Sequence, residues 1–257
     1  MKKSFIEFLG TGGARYVIAS QLRSSAGIYL HMCGKNIIID PGPGTLVKMA
    51  ASKPCIDVRN LDALMLTHSH IDHSNDLNVL IDAMTAGGIK KQGVVYAPAD
   101  CIKGVNSVLL EYLRNFPQDI ITLQENKTYQ LDKLQFRTSL KHKHPVETYG
   151  LIFEAEGKTI GFLVDTGYFK ELSGSYSNLD ILVINTVLSQ THVTASARHL
   201  SAEDLGVLIP DLNPKKVIMT HFGTRMIEAN PYALAKRLSD KTAIDVIAAS
   251  DGLRIYL

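Results

Sequence analysis

The sequence predicts an α+β chain: two packed sheets with helices on their outer faces, arranged as one domain over residues 1–257. Three observations point there. Apolar runs of strand length recur along the chain and alternate with segments of helical period. The two halves share an order: strands first, then a strand, a ligand-type residue and a helix. No linker, low-complexity tract or close repeat divides them, and an apolar content of 46% is ample for a large core.

Residues 4–9 form a short apolar strand that runs into Gly10-Thr-Gly-Gly13, a flexible turn. Neither Walker spacing nor Gly-x-Gly-x-x-Gly is present, so this is a plain loop at the rim of a site. Arg15 and Arg23 flank it and are expected to be solvated. Residues 27–31 and 36–40 make a hairpin about Cys33-Gly-Lys35. Ile37-Ile-Ile39 is continuously apolar, so both faces of that strand are covered. It stops at Asp40-Pro-Gly-Pro-Gly44, where proline and glycine end the strand sharply and let backbone approach a site. By spacing alone Asp40 is either a turn-initiating carboxylate or a group that orients a metal-binding imidazole. Residues 46–52 read as a helix.

Residues 63–66 are a buried strand that stops at four ligand-type side chains: His68, His70, Asp72 and His73. Three imidazoles and a carboxylate within six residues cost desolvation and give no packing in return. Alternation puts His68 and His70 on one side. Asp72 and His73 fall at a helix start and splay differently, so one pair can hold one cation and the other a neighbour. His68-Ser-His70-Ile-Asp72-His73 resembles the His-x-His-x-Asp-His signature of the metallo-β-lactamase superfamily. The resemblance implies a four-layer αββα sandwich of two mixed sheets flanked by helices. The site would lie at one edge, where strands from both halves end. It also favours the metal-side role for Asp40, because the superfamily carries an Asp-x-Gly there.

Leu77, Leu80, Ile81 and Met84 give a helical face ending near Gly87-Gly88, and residues 94–97 a strand. Residues 105–113 read as a helix stopped by Asn115-Phe-Pro117. Residues 120–123 and 134–140 read as strands of a second sheet, with Leu134, Phe136, Thr138 and Leu140 on one face. His142 and His144 share that parity, so alternation does not choose between them. The resemblance chooses His144, because ribonuclease Z-type members place a ligand histidine six residues before the Gly of a Tyr/Phe-Gly pair, here Tyr149-Gly150. His142 is then a rim residue. Residues 151–154 and 159–164 form a hairpin through Glu156-Gly157 and end in Asp165, whose two oxygens could bind two cations separately.

Residues 181–184 are a strand, and Asn185 opens a polar loop in which His192 has no nameable partner. Ser201 and Asp204 suit the N-cap and first turn of a helix, with His199 just ahead of it. From the pattern alone His199 is a helix-entry residue. It resembles the histidine of a His-x-Ser/Thr-Ala segment in ribonuclease Z-like members, with Leu200-Ser201 standing where Ser-Thr is usual. That implies a part in proton transfer. Residues 217–220 form a strand ending at His221-Phe-Gly-Thr-Arg225, which resembles the superfamily's last metal histidine and a nearby arginine. Arg225 could grip a phosphate through its planar fork. Pro231 opens a helix to residue 238. Residues 244–248 and 252–256 close the chain as strands joined at Asp251-Gly252.

The ligands so assigned form two sets sharing one carboxylate: His68, His70, His144 and Asp165, then Asp72, His73, His221 and Asp165. A histidine and carboxylate set without cysteine suits zinc first, with manganese or iron as alternatives. Two divalent ions about 3.5–4 Å apart would share a hydroxide whose parent water has its pKa lowered from 15.7 to about 7. Asp72 would help orient that nucleophile, and His199 would protonate the leaving alkoxide. The resemblance is to the ribonuclease Z and phosphodiesterase-like branch, and the expected reaction is phosphodiester hydrolysis. No long basic Gly/Pro-rich insertion is present to serve as a tRNA-gripping arm, so a small cyclic or linear diester stands beside RNA as substrate. A lactonase or thioesterase and a mononuclear-iron dioxygenase are the rival readings, and a homodimer is implied by analogy. A net charge of +2 and pI near 8.3 imply no strong field. Cys33, Cys55 and Cys101 read as buried thiols of a reducing compartment. Glu7 follows Met1-Lys-Lys-Ser too soon for a signal peptide, and no apolar run reaches membrane-spanning length. A cytoplasmic protein is expected.

Overall fold

The computed structural model describes residues 3–25, 27–105, 107–191 and 199–257. The expected run of strands folds into two seven-stranded mixed sheets. The first contains β1 (Phe5–Phe8), β2 (Ile28–Met32), β3 (Lys35–Ile39), β4 (Ala63–Met65), β5 (Val94–Ala97), β6 (Asp119–Thr122) and, at its far edge beside β1, β14 (Arg254–Tyr256). The second runs in the order β13 (Asp245–Ala248), β12 (Lys216–Thr220), β11 (Ile181–Asn185), β10 (Lys158–Leu163), β9 (Tyr149–Ala155), β8 (Leu134–Lys141), β7 (Thr128–Leu131). In each sheet one half is antiparallel and the other parallel: β3 to β6 in the first, β10 to β13 in the second.

Alternation along the strands sorts the side chains into layers. Ile6, Phe8, Leu30, Met32, Ile37 and Ile39 of the first sheet face Phe136, Leu151, Phe153, Ile160 and Phe162 of the second, forming the central core. The opposite parity packs under helices. Ile38, Leu64 and Val95 meet α2 (Thr45–Ala51) and α4 (Leu77–Met84). Leu163, Leu182, Ile184, Val217 and Met219 meet α7 (Ala202–Leu212) and α9 (Pro231–Thr242). The result is the helix–sheet–sheet–helix stack read from the sequence. Ser201 and Asp204 form a reciprocal capping box at the head of α7, each side chain accepting the other's backbone N–H.

Several expectations are corrected. The described residues of the 105–113 segment do not form the expected helix. The helical turn comes earlier, as α5 (Ala99–Ile102), and only Glu111–Leu113 coil, as a 3₁₀ turn. Ser107 is one cause: its single hydroxyl hydrogen has the carbonyls of Cys101, Ile102 and Leu109 in reach as alternative acceptors, and the N–H groups of Val108 and Leu109 go back to Cys101. Residues 120–123 belong to the first sheet, because the crossover after β5 returns the chain parallel to it. The second sheet starts at β7, whose alternating Tyr129 and Leu131 the sequence reading passed over. Residues 244–248 and 252–256 do not pair with each other. The chain leaves the second sheet after β13 and crosses to the first, where Tyr256 pairs with Phe5. Cys55 is exposed and Cys33 half-buried, so only Cys101 is a buried thiol; all three are free. Among the described residues no helix is long and apolar enough to cross a membrane.

Leu64 on β4 is fully buried. Leu64→Ala should therefore lower the unfolding free energy by about 2–5 kcal/mol in urea denaturation. Val79→Ala on the exposed side of α4 should stay within about 0.5 kcal/mol of the parent.

Candidate metal centre

The parallel strands of both sheets point their C-terminal ends at one edge, and the polar side chains at those ends converge. Asp40 follows β3; His68 follows β4; His70, Asp72 and His73 lie at and within α3 (Ile71–Ser74). Asp165 follows β10, Asn185 ends β11 and His221 follows β12. His144 comes from the loop between β8 and β9. Among the described residues three groups have ligand atoms close enough to hold a cation, and two of them face the site: His68, His70, His144 and Asp165, and Asp72, His73 and His221.

Asp165, 2% exposed, is the centre of the arrangement. Its Oδ2 lies 3.6 Å from His73 Nε2, 3.9 Å from His68 Nε2, 4.0 Å from His144 Nε2 and 3.4 Å from His199 Nδ1. Its Oδ1 lies 3.5 Å from His221 Nε2 and accepts a 2.8 Å hydrogen bond from Asn185 Nδ2. Asp72 Oδ2 is 3.5 Å from His221 Nε2 and 3.7 Å from His73 Nε2. His70 Nδ1 and His144 Nε2 face each other at 3.0 Å.

Asp40 fixes two of these rings through its hydrogen bonds. Its Oδ1 accepts from the Thr67 N–H at 2.8 Å, and its Oδ2 accepts from the Thr67 hydroxyl at 2.7 Å and from His73 Nδ1 at 3.0 Å. With its hydrogen committed to Asp40, the Thr67 hydroxyl can only accept from His68 Nδ1, 3.0 Å away. Both imidazoles thus carry a proton on Nδ1 and turn Nε2 inward, and in the neutral ring that Nε2 is a lone pair. Asp40, His68 and His73 also lie within ligand distance of one another, but these bonds already occupy that group.

His68 Nε2, His73 Nε2, His199 Nδ1 and His221 Nε2 are buried without a hydrogen-bond partner. Buried polar atoms are normally paired, and an inward lone pair on a fixed tautomer is what a metal ion takes up. The donor set of imidazole and carboxylate fits a divalent transition ion. The electrostatics agree. Burial opposes charge on Asp165, yet His221 and His199 hold its carboxyl well below the usual range. Burial, then the neighbouring His73, pushes His68 well down and keeps it neutral. Burial opposes charge on His73 too, but Asp72 and Asp40 outweigh it and raise that ring.

The glycine turn is more than a rim. Gly13 sits so close to His221 that a Cβ would come within 2.3 Å of the ring. Its N–H donates to the Phe222 carbonyl, Phe222 N–H donates to Thr11, and Ala14 N–H reaches Asp72 Oδ2 at 3.3 Å. The turn thus clamps the segment carrying His221. Arg23 is not merely solvated: it donates to Thr11 and the Ala249 carbonyl and stacks on Phe222 and Tyr232. Arg15 is exposed.

His199 stands with Nδ1 on Asp165 and its side chain 27% exposed, outside both ligand groups. Arg225 is exposed on α8 (Thr224–Glu228), beyond His221. His142 is not a rim residue. It is 3% exposed, with Nδ1 toward the Asp165 carbonyl at 3.3 Å and Nε2 toward the Tyr176 hydroxyl at 2.9 Å. Choosing His144 as the ligand left His142 without a role, but the register shift between Thr138 and Lys141 and its contacts with Asp165 and Tyr176 seat it inside the protein. His192 lies outside the described residues. Asn185 and Thr67 were missed. Asn185 was findable by the rule that exposed Asp165, a polar residue at the tip of an apolar strand.

Burial lowers the His142 pKa to about 4. Unfolding returns it to the ordinary value near 6.5, so the unfolded chain binds the extra proton and stability contributed by this group falls as pH drops from about 6.5 toward 4. In metal-free protein, the stability advantage of the parent over His142→Asn should be largest above pH 6.5 and shrink toward pH 4. Urea denaturation at several pH values reads it.

Comparison with known proteins agrees with this geometry. The chain is 30% identical to the uncharacterized protein MJ1374 of Methanocaldococcus jannaschii, over 98% of this chain and 94% of that one. It is 22% identical to ribonuclease Z of Borrelia garinii subsp. bavariensis, over 91% and 88%. Among solved structures, the metallo-β-lactamase fold protein YhfI from Bacillus subtilis superposes with a TM-score of 0.81 at 19% identity, covering 99% of each chain. The family model for the β-lactamase superfamily domain matches residues 35–222, from the third strand through the His221 turn. The chain belongs to the β-lactamase superfamily and has its metallo-β-lactamase fold.

Proposed function

We propose that this protein, folded as one domain, is a dinuclear metal-dependent hydrolase of phosphodiesters. The observation that carries the reading is the convergence of buried, unpartnered ring nitrogens on Asp165 and Asp72. His68, His70, His144 and Asp165 would hold one ion, and Asp72, His73, His221 and Asp165 the other, with zinc the first choice. When bound, two such ions supply a water acidic enough to attack at neutral pH and a Lewis acid for the phosphoryl oxygen.

The chain's own residues do the rest. Asp40 and Thr67 lock the His73 and His68 tautomers, so the site is set before substrate arrives. Asn185 and the imidazoles hold Asp165 ionised in a site from which water is largely excluded. Asp72 Oδ2, anchored by Ala14 N–H, orients the attacking water. His199 is partly open to solvent and lies against Asp165, so it can carry a proton to the departing alkoxide. Arg225 would meet the diester's charge. The ribonuclease Z relative supports a phosphodiester, and the substrate would be RNA or a small diester.

Metal-replete protein should hydrolyse bis(p-nitrophenyl) phosphate. His199→Ala should lower kcat by on the order of 10²-fold while metal content, read by elemental analysis, is unchanged. Loss of metal in that variant would make His199 a ligand. Turnover of a lactone or thioester with no cleavage of any diester would overturn the choice of substrate class.

A further inference from the structure

A second pocket, remote from the metal ligands, lies on the outer face of the first sheet. Strand alternation builds it. Ile6, Leu30 and Met32 face the central core, so their neighbours Phe5, Tyr29 and His31 turn outward. On the edge strand Arg254 and Tyr256 do the same. The cross-strand pairs Phe5–Tyr256 and Phe5–His31 set three rings in a row, with centroids 5.9 and 5.6 Å apart. The loop at residues 54–57 forms the opposite wall, and together they enclose about 300 Å³.

The polar groups in this pocket are ordered. Tyr29 Oη donates to Asn36 Oδ1 at 2.5 Å, and Asn36 Nδ2 donates to the Asn60 carbonyl, which fixes the amide. His31 Nδ1 lies 2.8 Å from the same Oδ1, so the neutral ring carries its proton there and offers Nε2 as an acceptor. His31 is 7% exposed, an unusual place for an imidazole with an open nitrogen. Two cations border the rings: Lys3 over Tyr256 at 5.4 Å and Arg254 over Phe5 at 4.3 Å. Glu7 lies beneath Arg254 and accepts from its Nε and Nη2. Asp57, the acidic residue of the opposite wall, is already held by Arg59 at 2.7 Å. With Arg254 paired to Glu7 and Asp57 to Arg59, Lys3 is, among the described residues, the pocket's cation without an acidic partner, and the charge left open is positive.

We propose that this pocket binds one nucleotide unit, its base against Phe5, His31 and Tyr256 and its phosphate against Lys3 and Arg254. Every base has a face that stacks on aromatic rings, and guanidinium and ammonium groups match the phosphate. His31 Nε2 accepts from a base edge that carries an amino group, so adenosine 5′-monophosphate is the first probe. As a monoester it is not a diester substrate of the metal centre.

The experiment is calorimetric titration of the metal-loaded protein with adenosine 5′-monophosphate, adenosine and inorganic phosphate. One site per chain is expected, with the monophosphate binding more tightly than either fragment. Asp165→Ala should leave that binding intact. Tyr256→Ala and Lys3→Ala, both at solvent-exposed positions, should each weaken it about tenfold. Comparison with a short adenylate oligomer then separates the sources: tighter oligomer binding assigns the pocket to a strand, equal binding to a free nucleotide. The proposal is overturned by absence of binding up to ~1 mM. It is also overturned by loss of binding in Asp165→Ala, by inorganic phosphate binding as tightly as the nucleotide, or by indifference to both surface variants.

Discussion

A carboxylate buried among imidazoles is the constraint on which the rest depends. Asp165 sits at 2% exposure with nitrogens of His68, His73, His144, His199 and His221 within 4.0 Å. Taking such a group out of water costs several kcal/mol unless charge and hydrogen bonds return it. Asn185 supplies one hydrogen bond, and the imidazoles supply the rest as N–H donors, as cations or as co-ligands of a metal ion. The fixed tautomer of His68 argues for a co-ligand, because burial keeps that ring neutral and its inward Nε2 is a lone pair that cannot donate.

The fold is the device that gathers these groups. Parallel strands end side by side, so β3 and β4 in one sheet and β10, β11 and β12 in the other deliver their terminal residues to one edge. A polar side chain at such a tip escapes the core without leaving the site. Left-handed backbone at Asp40 and His221 turns the chain sharply at two of the tips. Gly13 then allows the first loop to close against His221 with no side chain between them.

Much of this was legible in the sequence. Strand-length apolar runs implied two packed sheets with outer helices, the resemblance carried by residues 68–73 implied the four-layer sandwich, and the ligand-type residues at strand tips stood out because packing gives no reason for them. The misreadings have physical causes. Residues 105–113 carry a helix-like apolar pattern that Ser107 overrides by bonding backbone carbonyls. His142 was placed at the rim because the resemblance gave the ligand role to His144, and its partners, the Asp165 carbonyl and the Tyr176 hydroxyl, lie 23 and 34 positions away. The roles of Thr67 and Asn185 depend on contacts with residues 27 and 20 positions away, which no local spacing reports. Residues 252–256 looked like a partner for residues 244–248, yet the intersheet crossing sends them to β1.

Anomalous diffraction from crystals grown with zinc tests the central claim most directly. The account predicts two peaks per chain, one inside His68, His70 and His144, the other inside Asp72, His73 and His221, with Asp165 in contact with both. A single peak, or peaks that leave Asp165 untouched, would contradict it.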